Sequence, residues 1–179
     1  TGLAWKVMPS ARWNATAFAK HYAQSVRGAV STSTDGVGNY EDRSHTVCIW
    51  GTGAALTWFP LDGLQAKASY ERACRLPTYD ELFGDEDLEA GRTDLRPEHS
   101  HNVNLDLAYT RRFGRHSLRA EGTLLYRDTK DFIKRGIGKR GALQYGIYEN
   151  HGRVRTRGYS MALRYAYGQW LAAGLTYNN

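Results

Sequence analysis

The sequence predicts an all-β protein: an antiparallel meander of about eight long strands, occupying residues 1–179 as one segment. Three observations predict it. Apolar and polar residues alternate with period two over long stretches. Short turns and long polar loops alternate between those stretches. Aromatic residues gather in two bands, one beside the short turns and one near the long-loop ends.

Taken in order, the alternation is plainest at Gln65–Glu71, where Ala66, Ala68 and Tyr70 interleave with Lys67, Ser69 and Glu71. It returns at Val103–Tyr109, at Leu118–Tyr126 with Leu125 as the exception, and at Tyr159–Tyr167. Short turns fall at Met8–Ala11, Pro60–Gly63, Arg112–Arg115 and Tyr167–Gln169, each with the Pro, Gly or Asp of a tight reversal. Long loops are expected at Gly28–His45, Leu76–Glu98 and Arg135–Glu149, with one short helical turn near Tyr79–Leu82. Trp13, Trp58, Phe59, Phe113, Tyr167 and Trp170 form the short-turn band; Tyr22, Trp50, Tyr70 and Tyr126 form the other. Lys67, Glu71, Arg119, Glu121, Arg127 and Arg164 lie on the polar face, which suits a watery lumen better than the core of a soluble sandwich. Leu105, Leu107, Leu124, Met161 and Leu163 are then expected to face lipid, and Lys67, Glu121 and Arg164 the lumen.

Composition narrows the classes. Five Trp, twelve Tyr and five Phe argue against disorder, and two Cys make neither a disulfide framework nor a zinc site by themselves. No apolar run approaches the roughly 20 residues of a spanning helix. A membrane β-barrel remains open, because alternating strands keep mean hydropathy low. The net charge of +6 comes without the pattern of a nucleic-acid module. No nucleophile-elbow or phosphate-loop spacing occurs, so no enzyme constellation emerges. The chain starts and stops in mid-pattern, as expected of a stretch from a longer protein.

The segment Ala68-Ser-Tyr-Glu-Arg-Ala-Cys-Arg-Leu-Pro-Thr-Tyr-Asp-Glu-Leu-Phe-Gly84 resembles TonB-dependent outer-membrane receptors, with Cys74 where an aromatic is usual. Asp94-Leu-Arg-Pro-Glu-His-Ser-His-Asn-Val-Asn-Leu-Asp-Leu-Ala-Tyr109 is similar to the family's Asn-Leu-(Lys/Arg)-Pro-Glu-x-Ser segment. Tyr126-Arg-Asp-Thr-Lys-Asp-Phe-Ile133 resembles its strand end, and Tyr148-Glu-Asn-His-Gly-Arg-Val-Arg-Thr-Arg-Gly158 its Asn-x-Gly-x-(Ala/Val)-Arg-x-x-Gly run. Tyr159-Ser160 follows where a lumen Glu is usual. Order and spacing agree across about residues 50–179.

The resemblance implies part of a 22-stranded barrel in the outer membrane of a Gram-negative bacterium, with the plug domain outside this stretch. It implies active import of an iron chelate, vitamin, haem or glycan, driven by the TonB energising complex through the absent N-terminal part. No catalysis and no cofactor are expected. A soluble carbohydrate-binding sandwich and an outer-membrane barrel enzyme are the alternative readings.

The candidate ligand-binding residues lie on the long loops: Tyr79, Asp85, Glu86, Arg92, Arg140 and Tyr145. His45, His99, His101, His151 and the acidic run Asp80–Glu89 read as solvated polar residues, with no metal site assigned. Arg153, Arg155 and Arg157 form a same-parity row. Strict alternation points them outward, toward the phosphates of lipopolysaccharide. A bulge at Gly158 would turn them to the mouth instead. Finally, a turn centred near Leu61 gives partner numbers summing to about 122, which sets Cys48 opposite Cys74 as a candidate disulfide, two unlinked thiols being the alternative.

Overall fold

The computed structural model describes residues 1–31, 40–85, 89–140 and 143–179. Eight long strands run as an antiparallel meander: β1 (Gly2–Ser10), β2 (Trp13–Ser31), β3 (Tyr40–Leu61), β4 (Leu64–Arg75), β6 (Glu98–Phe113), β7 (His116–Arg140), β8 (Leu143–Tyr167) and β9 (Leu171–Asn178). Between β4 and β6 the chain forms α1 (Tyr79–Phe83) and a two-residue strand, β5 (Glu89–Ala90). Three short turns stand where Gly and Asp place them, as at Asp62–Gly63, where Gly63 has φ +80°, whereas the first falls at Ala11–Arg12, with Met8, Pro9 and Ser10 still in β1.

Register fixes the two faces. Leu56, Ala68, Leu105, Leu124 and Tyr159 share one rung across five strands. The next residues along, Thr57, Lys67, Asp106, Thr123 and Ser160, share a rung on the opposite face. The apolar face is uncovered: Leu124 is 55% and Met161 58% exposed, and among the described residues no second sheet packs on it. A soluble sandwich would bury that face. The polar face pairs its own charges, with Lys20 Nζ 2.8 Å from Glu71 Oε1 and Thr123 Oγ1 donating to Asp106 at 2.8 Å.

Both aromatic bands form. At the short-turn end Trp13 stacks on Trp58 at 5.3 Å, and His116 packs between Phe113 and Tyr167. At the other end Trp50 meets His21 and Tyr70 meets His101, with Tyr126 on the same rung as Tyr70. Tyr22 is a correction: it pairs with Ile49 on the polar face and covers Gly51, because its number has the wrong parity for the band.

Three further expectations change. Strands reach deep into two predicted loops, since Gly28–Ser31, Tyr40–His45, Arg135–Arg140 and Leu143–Glu149 are all paired in hairpins. β7 and β8 have 25 residues each, against the roughly 9–11 that cross a bilayer. The strictly antiparallel expectation has one exception, as β5 runs parallel to β8 at Gly146–Ile147. It arises because the β4–β6 loop folds back against the sheet.

The third change concerns the cysteines. Beyond a register shift near the turn, β3–β4 partners sum to 124, as Trp58 with Ala66 and Thr52 with Arg72. That slip of two residues keeps both thiols on one face but sets them diagonally. Cys74 Sγ lies 3.8 Å from the Trp50 carbonyl, and both cysteines are free. Each meets an imidazole instead, Cys48 with His21 at 2.8 Å and Cys74 with His99 at 3.5 Å.

Candidate functional site

The Leu76–Glu98 loop is a built unit on the polar face. It begins at buried Pro77, whose carbonyl accepts from Gln24 Nε2 at 3.1 Å. Thr78 then caps α1. Its hydroxyl accepts from the Glu81 amide at 3.4 Å, and the Glu81 carboxylate accepts from the Thr78 amide at 2.8 Å, a reciprocal capping box. Gly84 ends the turn at φ +79°, with its amide donating to the Asp80 carbonyl at 2.8 Å. A Cβ there would lie 2.2 Å from the Glu89 carbonyl oxygen, so the position admits only glycine.

Apolar contacts and one ionic hub hold the loop down. Leu82, Phe83 and Leu95 are buried with Ile133, against Val26, Val30 and Tyr148. These partners come from β2, β7 and β8, so the loop ties β2 to the β7–β8 hairpin, which is not its neighbour in the sheet. Burying a leucine side chain contributes about 1.5–3 kcal/mol. Phe83 sits so close to Gly28 that a Cβ there would lie 2.6 Å from its ring. Arg75 donates to both Glu81 oxygens at 3.1 Å and to Glu98 at 2.8 Å. Glu98, almost buried, also accepts the Ile133 amide at 2.8 Å.

Other described residues of the loop are tethered as well. Glu89 accepts from Tyr148 Oη at 3.0 Å and pairs with Arg135 at 2.9 Å. His45 Nδ1 lies 3.1 Å from the Thr93 carbonyl. Asn150 brackets Arg96, accepting its amide at 2.9 Å and donating to its carbonyl at 2.8 Å. The same Asn150 amide donates to the carbonyl of Asp131, which holds a left-handed φ of 54°, and the Asp131 carboxylate pairs with Arg96 at 2.7 Å.

The predicted site residues are placed as follows. Tyr79 is half-exposed with its ring on Phe83, and Asp85 accepts the Glu89 amide at 2.7 Å. Arg92 forms a fork with Asp94 at 2.9 and 2.8 Å, and its guanidinium holds the Asp94 carboxyl below the usual carboxylate range. Tyr145 covers Gly138 farther up the β7–β8 hairpin. Arg140 pairs there through its backbone with Leu143, and Glu86 lies outside the described residues. The loop therefore brings Tyr79, Asp85 and Arg92 into one unit and leaves Tyr145 on another element.

Arg153, Arg155 and Arg157 are elsewhere. The β7–β8 register runs unbroken through Gly158, so the three share the face of Tyr159 and Met161. The reversal toward the mouth does not occur. Arg153 forks onto Asp128, Arg155 Nε lies 4.0 Å from the same carboxylate, and Arg157 lies over the Tyr126 ring at 5.7 Å. Among the described residues no group of three or more His, Cys, Asp or Glu is arranged to hold a metal ion.

Sequence reasoning named no role for Arg75, Glu98 or Asn150 and read Glu81 and Glu89 as solvated, yet these five fasten the loop, with Glu81 and Glu89 largely covered by their Arg75, Arg135 and Tyr148 partners. A signal existed: Thr78-x-x-Glu81 is a capping-box spacing. The resemblance carried another, because Arg75, Glu81, Glu98, Ile133 and Asn150 all lie inside its quoted motifs.

A long-stranded meander with an exposed apolar face, two aromatic bands and a loop packed on its polar face defines a wall segment of a large transmembrane barrel. The whole of residues 1–179 matches the family described as TonB dependent receptor-like, beta-barrel, and the chain belongs to it. Two solved structures share the fold. The Serratia marcescens hemophore receptor HasR, a double mutant in complex with its hemophore HasA and heme, aligns at TM-score 0.68 and 16% identity, over 93% of this chain and 30% of that one. The copper transporter OprC aligns at TM-score 0.68 and 17% identity, over 98% of this chain and 28% of that one. The chain thus spans less than a third of either receptor. No curated protein matches the sequence.

Proposed function

We propose that this chain is part of the wall and mouth of an outer-membrane receptor that captures a solute and imports it with energy from the TonB complex. Family membership supports the receptor class. The observation that carries the capture role is the β4–β6 loop, fixed to the polar face by Arg75, Glu81 and Glu98 and presenting half-exposed Tyr79 and the Arg92–Asp94 fork. A rigid loop costs a ligand less ordering entropy than a mobile one.

The test is growth and uptake in cells carrying the parent receptor as the only route for a panel of ferric chelate, cobalamin, haem, copper and glycan. Haem and copper belong in the panel because the two structural neighbours carry them in their names. The expected result is import of one member that stops when the energising complex is deleted and falls when Tyr79 and Arg92 are both replaced by alanine. Import that survives loss of the energising complex would refute the reading.

A further inference from the structure

At the long-loop end the β7–β8 hairpin outgrows its neighbours. Strand β6 begins at Glu98, and its last rung with β7 pairs His99 with Lys130. β7 continues to Arg140, paired there with β8 alone, as far as Arg140 with Leu143. Beyond Lys130, among the described residues, no strand lies along the other edge of β7. The Ile133 amide shows which way that edge points, since it donates to Glu98 Oε1 at 2.8 Å, away from β8. By the two-residue alternation of an antiparallel ladder, the amides and carbonyls of Arg135, Ile137 and Lys139 turn the same way. They make a main-chain edge spanning about 14 Å.

The side chains beside this edge specify what can join it. From Phe132 to Tyr148 the sequence has Lys134, Arg135, Lys139 and Arg140 and no carboxylate. Lys134 and Lys139 are exposed, and among the described residues neither enters an ion pair. Ile137 lies between them, 75% exposed, on the same face as Lys139. On the other face Gly136 and Gly138 put no side chain in the way. The opposite edge of the hairpin already takes an added strand. There β5 lies along β8 at Gly146–Ile147, and its Glu89 carboxylate pairs with Arg135 at 2.9 Å.

We propose that the free edge of β7 at Arg135–Lys139 takes an added strand from an acidic, extended segment of a partner protein. Main-chain bonds to Arg135, Ile137 and Lys139 supply the affinity, and the flanking side chains supply the choice. A second copy of this edge is disfavoured, because its lysines would meet like charge. Antiparallel addition sets an acidic residue opposite Lys139, an apolar residue opposite Ile137 and a second acidic residue opposite Lys134. The partner segment therefore reads acidic-x-apolar-x-x-acidic. The inference goes beyond solute capture and uses neither Tyr79 nor Arg92. It rests on the reading that this end of the sheet stands outside the bilayer.

The test uses the parent receptor, purified in mild detergent, and a labelled synthetic peptide, Thr-Glu-Thr-Ile-Thr-Thr-Glu-Thr. One comparison peptide carries Lys for both Glu. Two others carry an N-methyl group, either on the Ile amide, which faces β7 in the proposed pairing, or on the next Thr amide, which faces away. The receptor variants are Ile137→Pro, which removes an edge donor and leaves the β7–β8 ladder intact, and Lys134→Glu with Lys139→Glu. We expect both variants, the Lys peptide and the Ile-methylated peptide each to bind at least about tenfold more weakly. The Thr-methylated peptide should bind as the unmodified one does, and hydrogen exchange at the Ile137 and Lys139 amides should slow on binding. No binding of the acidic peptide would overturn the proposal. So would equal binding of the Ile-methylated peptide, or unchanged affinity in the charge-reversed variant. Receptor dimers lost on Ile137→Pro would assign the edge to a second copy and overturn it as well. Solute import by cells carrying Ile137→Pro should match the wild type, which separates this edge from capture. Outer-membrane fractionation of the parent tests the membrane reading separately.

Discussion

Arg75 and Glu98 are the residues on which the candidate site turns. Glu98 is nearly buried and holds both the Arg75 guanidinium and the Ile133 amide. Removing Arg75 leaves that carboxylate without its counter-charge. With Arg75 itself partly exposed, Arg75→Ala is expected to destabilise the loop by about 2–3 kcal/mol, below the full cost of breaking a buried pair. Hydrogen exchange at the Leu82 and Leu95 amides should quicken while exchange within β6 and β7 stays unchanged; slow exchange at both leucines would refute the hub. The cysteines give a second test at this scale. Because the register sets them diagonally, Cys48 and Cys74 should both react with a maleimide in the parent receptor without prior reduction. A protein with neither thiol reactive until reduced would contradict the register.

At the scale of the element, the proposed capture loop also acts as a brace. Its apolar residues touch β2, β7 and β8, and Asn150 grips its far end. Deleting Asp85–Arg92 removes Glu89 with its bonds to Tyr148 and Arg135. The expected outcome is weaker uptake by a barrel that still assembles, because the deletion removes only the two-residue β5–β8 pairing and leaves the ladders between the long strands intact. Normal uptake by the deletion variant would remove the loop from the site. Gly28→Val tests the brace alone. The added side chain would meet Phe83, so α1 should be displaced with β2 still paired. A crystal structure of that variant with α1 unmoved would rule out the close approach as a constraint.

For the whole molecule, the two faces of the sheet answer to different solvents. A charge on the outward apolar face of a membrane barrel costs about 2–4 kcal/mol near mid-bilayer. Leu124→Arg should therefore lower the parent's folding stability in lipid vesicles by about that amount, whereas Thr123→Arg, on the polar face, should change it little. Equal effects of the two would mean that the faces are not divided between lipid and water. In the described sheet β1 pairs only with β2, and β9 only with β8. Residues 1–179 expressed without the parent are thus expected to self-associate through open edges, seen as concentration-dependent light scattering.

The strand meander, the positions of three of the four short turns and the shared outward parity of Leu105, Leu124 and Met161 were legible in the sequence. Period-two alternation and turn chemistry are local, and both act within a few residues. The motifs Ala68–Gly84, Asp94–Tyr109, Tyr126–Ile133 and Tyr148–Gly158 were also legible, as the marks of a family. That they converge on one loop unit was not. Arg75, Glu98, Ile133 and Asn150 meet only because the meander brings β4, β6, β7 and β8 together and the loop folds back across them. The same holds for the cysteines, whose relation depends on a two-residue register shift at one turn, and for Arg153 to Arg157, whose face depends on Gly158 not being a bulge. Side-chain parity along a strand is fixed by the backbone of that strand. Register between strands and the resting place of a loop are settled by cross-strand packing and by buried charge finding its partner, and those exist only in the folded sheet.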